Sequence, residues 1–127
     1  MSASSLRAEQ IVASAVDIKG QRHFRGQPET WKPFGPRRLQ PDWIADLTAY
    51  RAPEYSYFDR EHHHEGNGLF RITVDPKTGL VTHVRTIKST GFASLDNSAV
   101  AAIREWRWKP GKWKEIEMPI RFQWYMR

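Results

Sequence analysis

Three consecutive histidines, His62-His63-His64, are the first residues of this chain that invite a chemical reading. Neutral imidazoles bind zinc, copper or nickel well. A helical metal site needs its ligands one turn apart, whereas adjacent histidines point in different directions. His23 and His83 supply no partner at such a spacing, so the run reads as a solvated turn, with no metal and no cofactor expected. A second candidate is Trp106-Arg107-Trp108-Lys109 followed by Lys112-Trp113-Lys114, where rings and cations alternate. That alternation can stack bases or sugars in a positive field. Trp106 falls on the apolar stripe of a predicted helix, however, and the competing reading buries Trp106 and Trp108 while the cations stay in water. There is no Gly-x-Ser-x-Gly, no phosphate-cradling glycine loop and no carboxylate pair with a reason to be perturbed. Asp75, Asp96 and Ser89 have local turn or capping duties, so an enzyme is not expected.

The remaining chemistry belongs to the backbone. Pro119 sits inside Ile116, Met118, Ile120, Phe122 and Trp124, which alternate with Glu115, Glu117, Arg121 and Gln123 as a half-buried strand does. Proline offers no N–H and is tolerated in sheets almost only on edges or at bulges. The last strand is therefore expected at an open edge, where another polypeptide can add a strand. Since odd and even residues turn their backbone groups to opposite sides, Pro119 assigns the open side to Arg121, Gln123 and Tyr125. The candidate docking edge is Ile120, Arg121, Phe122, Gln123, Trp124 and Tyr125.

Other elements must position that edge. Phe70, Ile72 and Val74 alternate with Leu69, Arg71 and Thr73 as a first strand, and Asp75-Pro76-Lys77-Thr78-Gly79 turns the chain. The return strand, Leu80–Lys88, has Val81, Val84 and Ile87 at mixed parity, which predicts a bulge. A helix follows on Leu95, Ala99, Ala102, Ile103 and Trp106, capped by Ser94 or Asp96 and stopped by Trp108 and Pro110-Gly111. A right-handed crossover lays the last strand parallel to the second. With the first strand between them, every neighbour is antiparallel and the last strand borders the sheet. The fold class is α+β, a three-stranded antiparallel sheet with one packed helix (ββαβ).

Residues 52–127 hold that domain, and residues 1–51 read as an extension. Within it, 1–19 suggest a marginal helix on Leu6, Ala8, Ile11, Val12, Ala15 and Val16. Four prolines between 20 and 41 suggest a linker, in which Trp31 and Phe34 are apolar enough to dock on the domain. Asp42 starts a short helix over Trp43–Tyr50, and Tyr57–His64 form a second short helix or a turn. The formal charge of +6 is spread evenly, 8 basic and 5 acidic side chains in 1–51 against 12 and 9 in 52–127. It favours anionic partners without choosing among them. Without cysteine there is no disulfide or thiolate metal site. No stretch is apolar enough to span a bilayer and no signal-peptide core follows Met1, so the expectation is a soluble chain or one parted from its anchor.

The order of short motifs resembles the C-terminal domain of the TonB family. The matching residues are Pro53-Glu54-Tyr55, Gly68-Leu69-Phe70-Arg71-Ile72-Thr73-Val74-Asp75, Thr78-Gly79-Leu80-Val81 and Val84. They continue with Lys88-Ser89-Thr90-Gly91, Leu95-Asp96, Trp106-Arg107-Trp108-Lys109-Pro110-Gly111 and Met118-Pro119-Ile120-Arg121-Phe122. Ser56 stands where the family has a second proline. The resemblance implies a periplasmic energy transducer whose last strand takes up the N-terminal Ton box of an outer-membrane receptor. It also implies work with an inner-membrane ExbB–ExbD motor, if the chain is anchored; the anchor itself is absent from this sequence. Strand-exchanged dimers and peptidoglycan association are further family properties. Two alternatives stay open: a stand-alone adaptor or homodimer of the same fold with its edge self-covered, in a cytoplasmic setting if no export occurs, and a basic module holding cell-wall glycan or, less favoured, nucleic acid through Trp108, Lys109, Lys112, Trp113 and Lys114.

Overall fold

The computed structural model describes residues 13–24 and 42–123. Alternation decides the sheet. In β4 (Gly66–Val74), Phe70, Ile72 and Val74 are buried on one face while Arg71 and Thr73 face the other way. In β7 (Trp113–Phe122), Ile116, Met118 and Phe122 continue that apolar face. The two strands pair antiparallel from Gly66↔Phe122 to Thr73↔Glu115. Between β4 and β5 (Val81–Lys88) the register slips at Leu69/Phe70 and at Thr73/Val74, so the mixed parity of the second strand is resolved by the expected irregularities. The turn joining them works through Asp75, whose carboxylate accepts from Lys77 N at 2.9 Å and whose carbonyl accepts from Gly79 N at 2.7 Å.

The long helix α3 (Ala93–Ile103) buries Leu95, Ala99, Ala102 and Ile103 and closes the core over Phe70, Ile72, Ile116 and Met118. Its start differs from the sequence reading. Phe92 occupies the N-cap without a side-chain bond, because Ser94 and Asp96 lie inside the helix and serve elsewhere. Ser94 Oγ donates to Asp59 at 2.6 Å, and the Asp96 carboxylate accepts from Thr90 N at 2.8 Å and Thr90 Oγ1 at 2.6 Å.

Two elements of the extension depart from expectation. Where a helix was expected through Ala15 and Val16, the chain forms β1 (Ser14–Asp17), which hairpins into β2 (Arg22–Phe24). Small apolar residues one turn apart supply too little area to pack a helix, whereas Ala13 and Ala15, both 0 % exposed, fit an alternating strand against β7. After α1 (Asp42–Ala45) the predicted helix stops early. Leu47–Ala49 become β3, paired with β6 (Arg107–Trp108), because Trp108 offers Leu47 a cross-strand partner. The short helix α2 (Tyr57–Glu61) lies where one was expected, with Ser56 accepting from Asp59 N at 3.1 Å. The Ser56 hydroxyl thus caps a helix. Trp31 and Phe34 lie outside the described residues.

The sheet order is β2-β1-β7-β4-β5. The three expected strands are present with β4 in the middle, and the hairpin widens the sheet beyond them. Trp43, Trp106, Trp108 and Trp113 bind the extension to the module, all buried. Trp108 Nε1 donates to Trp43 O at 2.7 Å and Trp113 Nε1 to Asp46 Oδ2 at 2.8 Å. The opposite sheet face is polar, its best ion pair being Arg71–Glu117 at 2.7 Å. That carboxylate hydrogen bond pushes the Arg71 guanidinium further up in pKa.

Candidate functional site at the margin of the last strand

Each β7 residue pairs with β4 or turns its backbone away from it. The directions are fixed by β1, where Asp17 N donates to Gln21 O at 3.0 Å on the β2 side and Ile18 N to Lys112 O at 2.8 Å on the β7 side. Ser14 and Val16 consequently face β7, opposite Glu117 and Glu115. By the same alternation, Pro119 and Arg121 face away from β4. Proline is tolerated mid-strand because its missing N–H points to the side that β4 does not use.

This margin has two halves. Over Trp113–Glu117 it is covered by β1, so the last strand is interior there and the expectation of an edge along its whole length is corrected. The first reading of the sequence placed no strand in residues 1–51, and only the self-covered alternative allowed for cover from the chain itself. The pairing with β1 ends at Ser14↔Glu117, and the next margin-facing residue is Pro119. Among the described residues no strand pairs with the outer side of Pro119–Phe122. Among the described residues, the boundary falls at the proline.

The predicted docking residues fall as follows. Ile120 is half-buried against the core, and Phe122 is buried with its ring edge-on to Tyr55 at 5.4 Å. Arg121 is exposed, its Nε 3.3 Å from Asn67 Oδ1. Gln123 is exposed beyond the strand's end. Trp124 and Tyr125 lie outside the described residues. Tyr55, from the Pro53-Glu54-Tyr55 motif, also donates its hydroxyl to His64 O at 2.6 Å, which pins the domain's entry beside the end of β7. Burial pushes the Tyr55 phenol up.

The histidine run is structural where it touches anything. His64 Nδ1 lies 2.8 Å from Asp59 Oδ1, and its ring stacks on Phe92 at 4.1 Å. Ser94 and His64 both meet the Asp59 carboxylate rather than each other, so no Ser-His relay forms. The stacking reading of the tryptophans also loses its platform: Trp108 and Trp113 are each 1 % exposed and present no free ring face.

Sequence reasoning missed β1, although a signal existed. Asp17-Ile18-Lys19-Gly20 is a turn sequence, and Gly20 takes φ 84° there, as Gly79 takes φ 78° in the recognised turn. The Asp17 carboxylate organises the hairpin, accepting from Lys19 N, Gln21 N and the His23 ring. The His23 bond is the main reason its carboxyl sits below the ordinary aspartate range.

Three aspartates are depressed in this way. Asp59 is held down chiefly by Ser94, against burial, with help from His64 and Ser56. For Asp96 burial pushes upward, and bonds from Ser89 and Thr90 outweigh it. A carboxyl depressed on folding adds stability above its unfolded pKa, near 4, and loses it as pH falls through the folded value. Thermal melts are expected to hold their midpoint down to about pH 4 and then fall steadily. Asp59→Asn lowers the midpoint at neutral pH and converges on the parent once the pH falls below the depressed folded value; parallel curves at all pH values would contradict this assignment.

Comparison with known proteins places this geometry. Residues 51–124 match the family model described as Gram-negative bacterial TonB protein C-terminal. Protein TonB of Neisseria meningitidis serogroup C is 31% identical over 71 residues, 56% of this chain and 25% of that protein. Protein TonB of Neisseria gonorrhoeae matches to the same extent, also 31% over 71 residues. The chain thus spans about a quarter of the length of these curated relatives. The solution NMR structure of the Pseudomonas aeruginosa TonB CTD superposes with a TM-score of 0.50 at 18% identity, over 64% of this chain and 85% of that one. That likeness concerns the fold.

Proposed function

The chain belongs to the Gram-negative bacterial TonB protein C-terminal family, and from that premise we propose that it is a protein-binding module that accepts an extended peptide on the open half of the β7 margin. One observation carries the reading: β7 is held by β4 on one side while, among the described residues, no strand pairs with the other side of Pro119–Phe122. Main-chain hydrogen bonds supply affinity in such an exchange and flanking side chains supply selectivity. Arg121 and Ile120 are the selecting side chains in this reading, with Gln123, Trp124 and Tyr125 extending the same run.

The peptide is the Ton box of an outer-membrane receptor, the setting is the periplasm, and energy reaches the receptor from an ExbB–ExbD motor through an anchored form of the protein. Among the described residues no helix is long and apolar enough to cross a membrane. The reading does not include catalysis. A second reading, a stand-alone adaptor with a self-covered edge, is favoured by β1 on Trp113–Glu117. The polymer-binding alternative has less support, since the rings it would stack are buried.

Titration calorimetry with a Ton-box peptide tests the first reading. Arg121→Pro deletes one margin-facing N–H and leaves the β4 ladder intact, so binding is expected to weaken about tenfold or more with an unchanged melt. Unchanged affinity in a folded Arg121→Pro variant would refute docking at this margin. Affinity that collapses with added salt would instead indicate a charged polymer.

A further inference from the structure

Resting on the margin as the strand acceptor, we infer that the β1–β2 hairpin is a built-in competitor that limits the length of strand the module takes up. The outer margin of β7 runs from Trp113 to Phe122, and β1 occupies its first half in the same backbone positions an added strand would use. A peptide pairing only from Pro119 onward docks beside β1 without disturbing it. One that continues past Pro119 toward Trp113 meets Ser14 and has to displace β1 from Glu117 and Glu115.

The hairpin is suited to leave. β1 is four residues long, and its pairing with β7 is broken by a register shift between Val16 and Asp17. What it buries against the core is small, Ala13 and Ala15, whereas the β4–β7 contact buries Phe70, Ile72, Ile116 and Met118. Locally thin packing of this kind opens before the fold as a whole does. Among the described residues its ties to β7 include the Ile18 N to Lys112 O bond at 2.8 Å, Arg22 to Glu115 at 3.8 Å, and the His23 ring edge-on to Trp113 at 4.9 Å, while the Arg22 to Ser14 Oγ bond at 3.0 Å stays within the hairpin. Proline at 119 removes the donor at the junction, so neither ladder extends into the other's half without losing a bond. The hairpin also lies outside residues 51–124, the stretch that the family model matches.

The test uses the full chain and a reversible clip. The sequence contains no cysteine, and Ser14 and Glu117 are cross-strand partners, about 5.5 Å apart at Cα in such a pair, within disulfide reach. Ser14→Cys/Glu117→Cys is titrated, oxidised and reduced, with two forms of the Ton-box peptide, one of about ten residues and one of about five that spans only the open half. Oxidation is expected to weaken the long peptide about tenfold while leaving the short one unchanged, because the competent fraction falls only for the long form. Val16→Pro, which withdraws a β1 donor from Glu115, is expected to tighten the long peptide by a similar factor. If the long peptide binds equally to the oxidised, reduced and Val16→Pro proteins, the hairpin is no competitor, although docking at the margin stands. If neither peptide binds any form, the acceptor reading itself fails and the competitor goes with it.

Discussion

Trp108→Ala is expected to cost about 4 kcal/mol of folding stability and to lower the melting midpoint by roughly 15 °C. The ring is 1 % exposed, and its Nε1 donates to Trp43 O at 2.7 Å inside the core. Truncation removes a large buried ring, leaves a cavity, and strands a buried carbonyl. The main-chain bond from Trp108 N to Gly79 O at 2.8 Å and the pairing with Leu47 do not depend on the side chain, so the loss is that of the ring alone. Trp108→Phe separates the contributions: it keeps most of the apolar fill and orphans only the Trp43 carbonyl, at about 1–2 kcal/mol. Chemical denaturation of both variants checks this. A stable Trp108→Ala protein that had lost affinity for an anionic polymer would return the tryptophan to a surface binding role.

Gly79→Ala is expected to cost about 3 kcal/mol, from two sources that can be told apart. The residue has φ 78°, which an L side chain adopts at a cost of about 1 kcal/mol. In addition, a Cβ at this position would lie 1.8 Å from the Trp108 carbonyl oxygen, so the Asp75–Gly79 turn would have to lift off β6. Lifting breaks the Trp108 N to Gly79 O bond and the Gly111 N to Pro76 O bond at 2.7 Å. Gly20 is the matched control, with φ 84° and nothing within 4 Å of an added Cβ. Gly20→Ala carries the backbone penalty alone. Equal losses in the two variants would mean that the turn does not rest on β6.

The module was readable because its signals are local. Period-two alternation in Phe70–Val74 and Ile116–Phe122, the aspartate-to-glycine turn, and the Leu95–Ile103 spacing each act over a few residues, and each agrees with the fold. The hairpin was not readable in the same way. Its apolar positions are alanines, which carry little hydrophobic contrast, and its partner strand is about a hundred residues distant. For the same reason the outer margin of β7 was half legible: Pro119 announces a side without a donor but cannot say what lies beside Glu115 and Glu117. The Asp59 cluster was hidden too, since Ser56, His64 and Ser94 converge on one carboxylate only once α2 meets the start of α3.

Unequal ladders on the two sides of β7 have a mechanical consequence. Tension applied to the chain ahead of Ala13 enters the fold through β1, which grips β7 by four residue pairs, while β4 and β7 share eight. The shorter grip yields first, so a tug from that direction strips the cover while the platform beneath stays whole. Load on this protein would then lengthen the uncovered stretch of the β7 border.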